Sequence, residues 1–88
     1  MKVILSPRAE KQLKKLPKID QIALVSKIRK IRDENENIRP EKLKGFPHIF
    51  RVRVGNYRFV YKKTKKEIYI ILIHHRRDIY KALKRLFR

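Results

Sequence analysis

The sequence predicts an α+β fold: an N-terminal strand, a two-helix hairpin, a three-stranded antiparallel meander and a C-terminal helix. Three observations predict it. Between Ala9 and Ile31 apolar residues recur at spacings of three and four, the period of a helix with one buried face. From Phe50 to Val54, and again from Tyr57 to Tyr61, they recur at every second position, the period of a half-buried strand. Beyond residue 78 the helical spacing returns at Ile79, Leu83 and Leu86. A chain of 88 residues supports one domain, residues 1–88, with a small core.

Each element has its own signal. Val3, Ile4 and Leu5 form a short apolar run that reads as a strand. Ser6 followed by Pro7 is a helix start, a hydroxyl N-cap and then proline at the first helical position. Ala9, Leu13 and Leu16 line the first helix, which Pro17 ends. A second helix is expected from Lys18 to about Asn35, with Leu24, Val25, Ile28 and Ile31 as its core stripe. The polar stretch Glu34 to Pro40 reads as a loop. Gly55-Asn56 between two alternating runs is a two-residue hairpin signal. KKTKK, residues 62–66, makes the next turn. IYIILI, residues 68–73, is apolar on both faces and reads as a central strand.

Composition narrows the function. Lys and Arg number 26 against 8 Asp and Glu, for a net charge of +18. Residues 42–88 hold 15 of the basic side chains and only 2 of the acidic ones. A field of that sign and size favours polyanions, above all nucleic acid. A solvated thermophile surface would balance lysine with glutamate, and this one does not. The absence of cysteine removes disulfides and thiolate metal sites, and three histidines are a thin basis for any metal site, so neither metal nor cofactor is expected. No apolar run approaches the ~20 residues of a membrane span. MKVILSPRAEK lacks the features of a signal peptide. A cytoplasmic protein with no membrane partner is expected.

The hairpin register concentrates charge. A two-residue loop sets Val54 opposite Tyr57, Arg53 opposite Arg58 and Val52 opposite Phe59. Arg51, Arg53 and Arg58 then share one face, and Val52, Val54, Tyr57, Phe59 and Tyr61 form the core face. Like charges directly opposite cost about 0.2–1 kcal/mol, the kind of local conflict that function imposes. One reading is a solvated fan of arginines with acids between them. The sharper one is a phosphate site, since guanidinium forks match phosphate oxygens. His74, His75, Arg76 and Arg77 end the last strand, and Tyr80 follows on the C-terminal helix. These could join the arginines and supply the parts for RNA cleavage, namely cations for developing charge and groups that move protons. Arg77, Lys42, Lys44 and His74 are candidate RNA contacts beside Arg51. Asp78 reads as a helix-start residue, and His48 carries little weight. Lys11, Lys14, Lys15 and Lys18 read as a solvated helix face that steers polyanions.

KLKGFPHIFRVRVGNYRFVY, followed by IILIHHRRDIY, resembles the RelE/ParE toxin superfamily and is most similar to RelE. The resemblance spans nearly the whole chain and rests on the KL-x-G, YR-x-VY and HRRDIY elements together. It implies a toxin of a toxin–antitoxin pair that cleaves mRNA in the ribosomal A site, without metal, by activating the ribose 2′-hydroxyl against the adjacent phosphate. It implies a RelB-type antitoxin partner and a toxin–antitoxin hetero-oligomer. The family's paired basic positions fall on Arg51 and Arg53, its next-strand arginine on Arg58, its later arginine on Arg76 or Arg77, and its C-terminal tyrosine on Tyr80. Arg58 and Arg76 then take phosphate and transition-state roles, and Tyr80 positions the cleaved nucleotide.

One departure matters. The best-known RelE proteins carry lysine where this chain has Arg51 and Arg53. A desolvated lysine can act as a base and an arginine cannot. Arg53 is therefore expected to act electrostatically, with His75 or His74 as the base. Two other functions compete: a ParE-like inhibitor of DNA gyrase, and a catalytically silent nucleic-acid-binding domain. An acidic, amphipathic partner chain suits a small domain of this charge.

Overall fold

The computed structural model describes residues 1–33, 40–75 and 85. In chain order they form β1 (Lys2–Leu5), α1 (Pro7–Lys15), α2 (Lys18–Arg32), β2 (Glu41–Lys42), β3 (Ile49–Val54), β4 (Tyr57–Lys63) and β5 (Glu67–His75). The α+β class is the one the sequence predicts, and the strand, two helices and three-stranded meander follow in the expected order with β2 inserted before the meander. The expected C-terminal helix falls, Arg85 apart, outside the described residues, as do residues 34–39 of the loop expected from Glu34 to Pro40.

The five strands lie in the order β1-β5-β4-β3-β2, with β1 parallel to β5 and the remaining pairs antiparallel. The expected meander is β3-β4-β5. β2 adds a fourth antiparallel member, and its two residues are too few to show an alternation. β5 is central, as its doubly apolar pattern implies: Ile68, Ile70 and Leu72 are fully buried. Both helices pack on one face, where Ala9, Leu24, Ile28 and Ile31 meet Val52, Phe59, Tyr61, Ile68, Ile70 and Ile73. Phe50 stacks on Tyr61 with ring centres 5.5 Å apart. A smaller cluster of Ile49, Val60 and Leu72 lies on the other face, with Leu43 and Phe46 packed against it.

Local chemistry sets the helix ends. Ser6 Oγ accepts a hydrogen bond from the Ala9 amide at 2.9 Å, with Pro7 in the first turn of α1. Leu16 is extended ahead of Pro17, as a residue before proline prefers. Gln21 closes the break from the next helix: its amide donates to the carbonyls of Leu16 at 2.9 Å and Lys14 at 3.3 Å. Those carbonyls end a helix and have no intrahelical donor.

Between Val60 and Tyr61 the ladder slips. Val60 faces Leu72 while Tyr61 faces Ile70, so Ile71 is an extra residue on β5, a β-bulge. Two side chains of α1 and its cap satisfy the backbone there. Ser6 Oγ donates to the Ile71 carbonyl at 2.6 Å, and Gln12 Oε1 accepts from the Ile73 amide at 2.7 Å. The bulge is thus held by the start of the first helix.

Candidate functional site

The β3–β4 hairpin has the register its turn dictates: Val54 faces Tyr57, Arg53 faces Arg58 and Val52 faces Phe59. Gly55 takes φ of 60° at the first turn position, as a type II′ hairpin requires. Directly opposed residues project from the same face of an antiparallel pair. Arg51 faces Val60, so Arg51, Arg53 and Arg58 share the face away from the helices.

β5 extends this arrangement. Arg58 faces His74, and Tyr57 faces His75. His74, Arg58 and Arg53 therefore form one cross-strand row beside the hairpin turn. His75 belongs to the opposite face, where its ring meets Tyr57 edge-on with centroids 5.7 Å apart. The bulge decides between the two histidines. Strict alternation from the buried Ile68 carries odd-numbered positions, His75 included, to the arginine face. The extra residue at Ile71 reverses that parity before the strand ends.

The members of the row differ in setting. Arg53 is exposed and its Nε donates to the Gly55 carbonyl at 3.2 Å, so the guanidinium lies back over the turn. Arg58 and His74 are half-buried. Neither arginine of the row forms an ion pair with a described residue. His74 Nδ1 is buried and has no hydrogen-bond partner among the described residues. Arg51, one row along the same face, is different. Glu41 faces it across the β2–β3 ladder, and its Oε2 accepts from Arg51 Nε at 2.7 Å. An acid is thus present beside Arg51, whereas Arg53 and Arg58 have no ion-pair partner among the described residues.

Other residues singled out in the sequence lie elsewhere. Lys42 faces Phe50 across the ladder and so belongs to the helix-side face, and Lys44 is exposed in the turn that follows β2. Tyr61 is core, and burial pushes its hydroxyl pKa up to about 12, which removes it from proton transfer near neutrality. His48 is exposed with a left-handed backbone, φ 65°, in the turn just before Ile49 and at the far end of β3 from the hairpin turn. Arg76, Arg77, Asp78 and Tyr80 lie outside the described residues. Sequence reasoning missed Glu41, because a two-residue strand leaves no pattern from which its facing partner can be read. Among the described residues no three His, Asp or Glu side chains are grouped to hold a metal ion.

This arrangement can hold a phosphate against Arg58 and Arg53 and place an imidazole beside it. Comparison with known proteins agrees with such a fold. The family model for the ParE toxin of type II toxin–antitoxin systems, parDE, matches residues 3–80. No curated protein matches the sequence. Among solved structures, the chain resembles the isolated Escherichia coli RelE toxin, with a TM-score of 0.73 and 25% identity over 98% of each chain. It resembles the RelB–RelE complex of Methanococcus jannaschii, with a TM-score of 0.75 and 24% identity over 90% of this chain and 96% of that one. The RelE–RelB complex of the archaeon Pyrococcus horikoshii gives 0.68 and 26% identity, over 85% and 93%.

Proposed function

The chain belongs to the ParE toxin family of type II toxin–antitoxin systems, and from that premise we propose that it is a ribosome-dependent endoribonuclease cleaving mRNA in the A site. The observation that carries this reading is the row His74–Arg58–Arg53, an imidazole and two guanidinium groups on one sheet face, neither guanidinium ion-paired among the described residues. Guanidinium forks bind phosphate bidentately and stabilise the charge that builds on it during cleavage. In this reading they supply the positive charge that a metal supplies elsewhere, and Arg76 and Tyr80 complete the site. The likeness to RelE structures supports the same reading.

The partner is an acidic RelB-type antitoxin that forms a hetero-oligomer with this chain in the cytoplasm. Two of the similar structures are RelB–RelE complexes, and a net charge of +18 draws an acidic chain by long-range attraction. A second reading follows from the family model, which is that of ParE: inhibition of DNA gyrase by binding. A translating-ribosome assay with primer extension separates the two. Cuts in the A site that vanish in folded Arg58→Ala establish the first. Intact mRNA with blocked supercoiling establishes the second. RNA binding with neither effect leaves a silent binding domain.

A further inference from the structure

We propose that His74 is the general base that takes the 2′-hydroxyl proton, an inference that rests on the endoribonuclease reading above. The row His74–Arg58–Arg53 contains one side chain able to accept and release a proton near neutral pH. Guanidinium groups stay protonated there. Tyr57 and His75 face the helices, and Tyr61 is buried in the core. The charged and titratable groups facing His74 among the described residues are Arg58 directly opposite, Arg53 one strand further, and Arg51 with Glu41 one row along. α1 packs on the other face, where its Gln12 oxygen accepts from the neighbouring Ile73 amide.

The chemistry balances within this row. The 2′-hydroxyl proton passes to the imidazole as the O2′–P bond forms. The P–O5′ bond breaks, leaving a 2′,3′-cyclic phosphate, and the departing 5′-oxygen takes a proton from water. Directly opposed residues have Cβ atoms about 4.5–5.5 Å apart. Arg58 therefore holds the phosphate next to the group that deprotonates its neighbouring ribose. The imidazolium returns its proton to solvent after product leaves.

The test is single-turnover cleavage of mRNA on programmed ribosomes by the full chain, from about pH 5 to 9, with ribosome binding measured in parallel. The wild-type rate is expected to rise with pH and then level off, as a single essential base requires. His74→Gln should lower the rate about 100-fold or more and lose that rise, with ribosome affinity within a few-fold of wild type. Imidazole added to His74→Gly should restore part of the rate, which a purely structural role would not allow. His75→Gln should keep the rise. Should His74→Gln fail to fold, His74→Asn provides the same comparison. A folded His74 variant with the wild-type rate and pH profile overturns the inference while Arg58→Ala still abolishes cleavage. Loss of the rise in His75→Gln instead does the same. A wild-type chain that binds ribosomes and cuts nothing overturns the endoribonuclease reading, and this inference with it.

Discussion

Ser6 donates its hydroxyl proton to the carbonyl of Ile71, 65 positions away, at 2.6 Å. The same oxygen accepts from the Ala9 amide. One small side chain therefore caps the first helix and satisfies a carbonyl at the bulge of the last described strand. Ser6→Ala removes both bonds. An N-cap is worth about 1 kcal/mol, and a buried carbonyl left without a donor costs about 1–3 kcal/mol. Ser6→Ala should thus lower unfolding free energy by about 2–4 kcal/mol in a urea titration. Ser6→Thr, which keeps the hydroxyl, should lose less than half of that.

The facing pair Arg53 and Arg58 sets stability against activity. Removing one of two like charges directly opposite relieves about 0.2–1 kcal/mol, and threonine suits an exposed strand position. Arg53→Thr should therefore melt slightly above wild type while its cleavage rate falls. Arg53→Lys, which keeps the charge, should retain most of the rate. Thermal melts and the ribosome assay on the same samples check both halves of the expectation.

Glu41 is the acid paired with Arg51 on the arginine face. Its side chain is 66% exposed, so its pair with Arg51 contributes less than about 1 kcal/mol. Glu41→Gln should leave the melting temperature nearly unchanged. It should tighten binding to single-stranded RNA several-fold, because a phosphate no longer competes with the carboxylate. The plot of log affinity against log salt should steepen by about 0.7, measured by fluorescence anisotropy.

Alkaline pH should reveal Tyr61. Its hydroxyl stays protonated in the fold up to about pH 12, while an unfolded tyrosine ionises near 10. This group's contribution is therefore complete below about pH 10 and is lost as pH rises toward 12. The two-unit gap corresponds to about 2–3 kcal/mol. Tyr61→Phe should remove that part of the decline. The difference between the two denaturation series, taken from about pH 9 to 12, isolates the group from the titrating lysines.

Local chemistry made much of this legible. Ser6-Pro7 marks the start of α1, Pro17 its end, and IYIILI a strand covered on both sides. The Gly-Asn turn sets the arginine register because loop length dictates pairing. What stayed hidden depends on contacts distant in sequence. No local pattern shows that Ile71 is an extra residue, since an apolar run on a central strand has no alternation to interrupt. The choice between His74 and His75 hung on that one residue. Glu41 lies on a strand too short to announce itself, and the parallel docking of β1 on β5 leaves no trace in either segment alone.

The docking of β1 on β5 also orders events during synthesis. β1 emerges first, yet its partner in the sheet is the last strand described. β5 also brings His74 to Arg58. Pairings between distant segments form late, after the intervening chain has closed its loop. The nascent chain therefore holds its arginines on an open hairpin until β5 has left the exit tunnel. For a chain with the proposed target, this order keeps the ribosome that makes the protein from meeting a finished site.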